Sequence, residues 1–229
     1  MVTDQDYLSE RDFWEIVYAP GVKGWRERYI LSRQFMRHFK RGHQESIRPL
    51  VERVGERVCA GENFRGTSNF LVRQIHPRAF RLLVEHGQDY RPQPVWKDAP
   101  GTWEEQPRDG MCQVDSWELM SAANSRISVK PHMVYVEGIT FGIEVPFMLH
   151  AWNARGLESQ KAIDWNHYTR GRWSRYLGIP FTQSEHEKIL NLSQIRNKRH
   201  HLLFQGVFFE KAEQYIRELL AERRALTQR

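Results

Sequence analysis

An α+β fold is predicted for this 229-residue chain, with helical N- and C-terminal parts around a helix opening at Cys112 and a small antiparallel sheet. Three observations predict it. Apolar residues recur at helical spacing before residue 88 and again after residue 182. Three short β-patterned runs follow one another between residues 133 and 165. The connections between those runs are short, which makes successive strands antiparallel neighbours.

The N-terminal part reads as four helices. Residues 8 to 18 place Leu8, Phe13, Trp14, Val17 and Tyr18 on one face, stopped by Pro20-Gly21. Residues 24 to 40 carry Trp25, Tyr29, Ile30, Phe35, Met36 and Phe39, and close near Gly42. Ser46 suits an N-cap with Pro49 in the first turn of a third helix, along Ile47, Leu50, Val51, Val54 and Val58 to Gly61. A fourth starts after His76-Pro77, covers Ala79, Phe80, Leu82, Leu83 and Val84, and ends at Gly87.

Residues 88 to 110 hold Pro92, Pro94, Pro100, Gly101, Pro107 and Gly110, and predict an irregular connection. A helix over 112 to 124 then buries Val114, Trp117, Leu119, Met120 and Ala123. Strands are predicted over 133–141, 147–154 and 161–165, with turns near Gly142 and Gly156. The end returns to helix over 185–192 and 207–225. Residues 1–229 thus form a single domain: a helical part (1–87), a connection (88–110), an α+β core (111–181) and C-terminal helices (182–229).

Hydrophobic content of 40% and charged content of 27% exclude a disordered chain. No run approaches the roughly 18 to 20 uncharged apolar residues that span a bilayer, so no membrane partner is expected. The acidic, polar start Met1–Asp6 lacks the basic and apolar regions of a signal peptide, which points to a cytoplasmic protein. In that reducing setting Cys59 and Cys112 read as free thiols. The net charge of +6 is concentrated. Residues 21 to 57 hold ten Lys and Arg against four Glu, a difference that equals the whole excess. Such a face suits nucleic acid or another acidic partner. A solvated helix surface explains it more plainly, and no nucleic-acid-binding motif accompanies it.

Cys112 opens its helix after Arg108-Asp109-Gly110-Met111. A thiol in a first turn feels the positive end of the helix dipole, which stabilises a thiolate. A small buried hydrophobe at a helix start looks the same in isolation. His150 lies 38 residues on (150 − 112), in the second predicted strand, and Asp164 lies 14 further (164 − 150), in the third. A neighbouring strand can set a carboxylate beside an imidazole and fix its tautomer, leaving the other ring nitrogen for the thiol. The three together read as nucleophile, base and orienting acid.

The order Cys112, then His150-Ala151-Trp152 on one strand, then Asp164-Trp165 on the next, resembles the papain-like superfamily. Within it, the likeness is to transglutaminase-like and arylamine N-acetyltransferase-like cores. The segments Tyr135–Gly138, His150–Asn153 and Tyr176–Phe181 also resemble small uncharacterised bacterial and phage proteins. The resemblance spans residues 106 to 181. It implies a nucleophile helix packed on a small sheet, a Cys112-His150-Asp164 triad, and a thioester formed from an amide- or ester-bearing substrate. It also implies an upstream Gln as oxyanion-hole donor. Gln106 stands six residues before Cys112, and Gln113 competes for that part. The residues flanking Cys112 match neither the glycine-rich signature of papains nor the arginine-bearing one of the acetyltransferases, which leaves hydrolysis and transfer both open.

Trp152 and Trp165, each beside a triad residue, suit the wall of a substrate pocket, and core packing explains them equally. Glu137 sits in an apolar strand, where a carboxylate is costly to bury unpaired. It is expected to support the substrate site or to pair with an arginine. No cofactor or metal is expected. Gly61-Glu62-Asn63-Phe64-Arg65-Gly66 lacks the Lys-Ser/Thr ending of a phosphate loop. His200-His201 point to different faces, and no partner stands at ligand spacing. An enzyme-like core that only binds nucleic acid is the competing reading.

Overall fold

The computed structural model describes residues 47–48, 51–52, 55–56, 75–93, 112–125, 132–141, 148–164, 175–195 and 203–227. The helices expected over 8–18 and 24–40 lie outside these. Of the third, Arg48, Val51, Glu52, Gly55 and Glu56 are helical, with Ile47 and Val51 fully buried.

Helix α1 spans Pro77–His86. The His76 ring caps it by accepting from the Arg78 N–H at 3.2 Å, and Pro77 fits the first turn because no N–H is needed there. Its buried residues are Ala79, Phe80, Leu82 and Leu83. Arg48 donates to the carbonyls of Val84 and Gly87, filling acceptors that the helix end leaves unused. Strand β1 follows at once, over Gln88–Pro92. This corrects the expectation of an irregular connection from residue 88. Only Tyr90 of its five residues is buried, so β1 shows little alternating pattern, and Pro92 sits at the strand end where a missing N–H is tolerated.

Helix α2 is Cys112–Asn124 and strand β2 is Met133–Phe141. The Asn124 side chain pins the two together, accepting from the Met133 N–H (2.8 Å) and donating to its carbonyl (2.9 Å). Strand β3 is Met148–Arg155, β4 is the short Lys161–Ala162 and β5 is Arg175–Phe181. The sheet order is β3-β2-β5-β1-β4, antiparallel except for the parallel β1–β4 pair. The expected β2–β3 hairpin is present. The third expected strand is shorter than 161–165; its residues 161 and 162 pair in parallel with β1, and only Ile163 makes the expected antiparallel contact with β3.

The sheet curls until its ends meet. Just past β4, Ile163 bridges Asn153 on β3 by two main-chain hydrogen bonds of 2.8 and 3.0 Å. These close a small barrel. Side chains alternate along each strand, so one set fills the interior: Tyr90, Val134, Val136, Trp152, Ala154, Ala162 and Tyr176. The outward set, including Tyr135, Ile139, Leu177 and Ile179, shares a second core with the helices. Interior space is tight at Gly178, where a Cβ would come within 2.5 Å of the Trp152 ring. Gly178→Ala is therefore expected to cost about 1 to 3 kcal/mol by overpacking. A urea titration measures it, and an unchanged midpoint would mean that the indole shifts freely.

Helix α3, Gln183–Leu192, opens on a reciprocal cap in which Thr182 and Glu185 satisfy each other's backbone N–H. Helix α4, Gly206–Thr227, buries Phe209, Ala212, Ile216 and Leu220 at helical spacing. Its Arg223 pairs with Glu185 and donates to the Pro180 carbonyl at 2.7 Å. Among the described residues, no helix is long and apolar enough to cross a membrane.

Candidate active site

Cys112 is the first residue of α2 and is half-buried. The helix lies along β3 and β2, and Asn153 fastens its first turns. The Asn153 amide, fully buried on the outer face, donates to the Ser116 carbonyl (2.9 Å) and to the Val134 carbonyl (3.1 Å). Three residues earlier on the same strand, His150 points the other way, into the barrel. It stands in a row with Gly138 on β2 and Gly178 on β5, neither of which carries a side chain. Trp152 and Tyr176 enclose it instead, with ring centroids 6.1 and 6.5 Å away.

Asp164 immediately follows the bridging residue Ile163, which delivers its carboxylate to His150. His150 Nε2 and Asp164 Oδ2 are 3.0 Å apart, with His150 0% and Asp164 3% exposed. The Tyr176 hydroxyl donates to the same Oδ2 at 2.9 Å. Burial alone would lower the pKa of His150. The Asp164 carboxylate and the Cys112 sulfur outweigh it, each by charge and by hydrogen bonding, and raise it to about 10. With Nε2 engaged by Asp164, Nδ1 is the ring nitrogen that faces away from the carboxylate.

The structure thus brings together the three residues of the expected triad, drawn from a helix start, a strand and the turn after another strand. Gln106 and Trp165 lie outside the described residues. Gln113, the other candidate donor, is nearly buried and accepts from the Cys112 thiol at 3.5 Å. Trp152 is fully buried in the barrel, edge-on to Tyr90 and packed on Tyr176. It shields His150 rather than lining a pocket.

Glu137 is corrected more sharply. Its side chain is on the outer face, opposite to His150, and fully buried. The Tyr135 hydroxyl donates to Oε2 (2.7 Å) and the Phe204 N–H to Oε1 (2.8 Å). Among the described residues its partners are these backbone and phenol donors rather than an arginine. Tyr176 and Asn153 carry no local signal that separates them from ordinary strand residues, and only the barrel closure reveals what they hold.

Comparison with known proteins adds no family. No family model matches the chain, and neither a curated protein nor a solved structure does. Among the described residues, no group of three or more His, Cys, Asp or Glu side chains is arranged to hold a metal ion. A cleft of about 480 Å³ lies between α1 and the helical residues Glu52, Gly55 and Glu56, lined also by Phe80, Arg81 and Val84, and no triad residue borders it. Most of the basic stretch 21–57 falls outside the described residues. Arg48, the one of its bases that is described, is spent on the end of α1.

Proposed function

We propose that the protein is a thiol-dependent acyl-transfer enzyme with a papain-like core, acting on an amide or ester in the cytoplasm. The observation that carries the reading is His150, sealed from water between Asp164 and Cys112 and held strongly basic by both. A structural histidine seldom has a thiol on one side and a carboxylate on the other, and the nucleophile stands at a helix start, where the dipole favours an anion.

The chemistry follows from the geometry. Nδ1 of His150 takes the Cys112 proton, and the imidazolium keeps its Nε2–H on Asp164. The thiolate adds to the substrate carbonyl carbon, giving a tetrahedral oxyanion. Collapse breaks the C–N or C–O bond, and the leaving group takes its proton from His150. A thioester remains on Cys112. Water or an amine then attacks it, loses a proton to His150, and the C–S bond breaks to restore the thiolate. In this scheme the Cys112 N–H is one donor to the oxyanion, and Gln106 or Gln113 supplies the other.

An unspecific ester tests this without knowledge of the substrate. Incubation with p-nitrophenyl acetate should release nitrophenol and leave one acetyl group on Cys112, located by peptide mass spectrometry. Cys112→Ser should abolish the adduct while leaving the melting temperature nearly unchanged. Acetylation spread over surface lysines, with Cys112 unmodified, would remove the reading.

A further inference from the structure

We infer that Tyr176 is a positioning residue of this site, its hydroxyl clamping the Asp164 carboxylate in the one orientation that serves His150. The inference rests on the acyl-transfer reading and adds a fourth side chain to it. The Ile163 bridge fixes where the Asp164 backbone stands but leaves its side-chain torsions to be set by other contacts. The terminal torsion of an aspartate is also intrinsically broad. Something else must choose which way the carboxylate faces.

Two donors converge on one of its oxygens: His150 Nε2–H at 3.0 Å and Tyr176 O–H at 2.9 Å. Of the two, Tyr176 is the better anchored. It lies on β5, hydrogen-bonded on both sides to β2 and β1, and is 0% exposed. Its ring packs 5.0 Å from Trp152 and 6.5 Å from His150. A buried phenol needs a partner for its O–H, and packing fixes where this one points. The rigid sheet therefore reaches the acid through Tyr176, and the acid in turn orients the base.

Three variants separate positioning from packing. In protein with ¹⁵N-labelled histidine, Tyr176→Phe should shift or broaden the His150 Nε2–H proton signal and lower the pH midpoint of the ring's titration. It should slow acetylation of Cys112 by about ten-fold, the scale of one hydrogen bond to a charged group, with little change in apparent ester affinity. Tyr90→Phe removes a hydroxyl from the same interior without touching Asp164, and should alter none of these. If Tyr176→Phe does not fold, 3-fluorotyrosine at 176 keeps the shape and strengthens the donor, and the Nε2–H signal should move. A wild-type His150 signal and acetylation rate retained in Tyr176→Phe, or an unmoved signal in the fluorotyrosine protein, overturns the inference. If wild-type Cys112 does not acetylate at all, the acyl-transfer reading fails first, and the positioning role falls with it.

Discussion

Replacing His150 with Gln should slow acetylation of Cys112 by on the order of 10⁴-fold or more, since members of a catalytic unit fail together. Gln is the informative choice. Its amide can still donate to Asp164, so the buried carboxylate keeps a partner and the fold should persist, while the base is gone. Asp164→Asn tests the other side. Both donors meet the same Oδ2, so an asparagine oxygen placed there keeps the two hydrogen bonds and loses only the charge. That charge is the largest influence raising the pKa of His150. The ring should then titrate well below pH 10, and activity should fall by about 10² to 10⁴-fold. Stopped-flow nitrophenol release and circular dichroism on both variants check the pair. Full activity in His150→Gln would leave Cys112 without its base and end the triad.

The second large effect concerns stability. Burial pushes the Glu137 carboxyl up to about 7, against the N–H groups of Leu203 and Phe204 and the Tyr135 hydroxyl, which pull it down. A carboxyl whose folded pKa is raised contributes stability that is complete below its ordinary value of 4.5 and is lost as pH rises through about 7. A displacement of that size amounts to about 3 kcal/mol at most. Glu137→Gln cannot ionise and still accepts from Phe204. It should match the parent near pH 4.5, flatten the decline above it, and exceed the parent near pH 8. Glu137→Ala leaves the Phe204 N–H and the Tyr135 O–H without an acceptor, at a cost on the order of 3 kcal/mol at every pH. Urea midpoints across that pH range decide it, and parallel curves for parent and Glu137→Gln would show that the carboxyl titrates normally.

The described helices were legible because their apolar spacing and stop signals are local. Pro77 and Gly87 bracket α1, and α2 starts and stops where the pattern does. The β2–β3 hairpin was legible for the same reason. What could not be read was β1, whose five residues bury one side chain, and the place of β5, whose Gly178 and Pro180 look like turn residues. Both glycine and proline have long-range reasons. Gly178 yields to the Trp152 indole. Beyond Gly178, β5 has no β1 partner, so Pro180 lacks no ladder bond there, and Arg223 takes its carbonyl instead. The triad's residue types and order could be read, but its geometry depends on a closure between Asn153 and Ile163 that no local pattern encodes. Glu137 was misplaced because strand position gives the face only once the register is known.

That closure has a consequence for how the protein comes alive. Asn153 lies three residues after His150, and Ile163 directly precedes Asp164, so the two hydrogen bonds that finish the barrel also dock the acid behind the base. On the acyl-transfer reading, opening that seam leaves Cys112 on α2 and His150 on β3 but takes Asp164 from the ring. Under that reading the seam doubles as a safety catch, since whatever pries β3 from the stretch after β4 disarms the base.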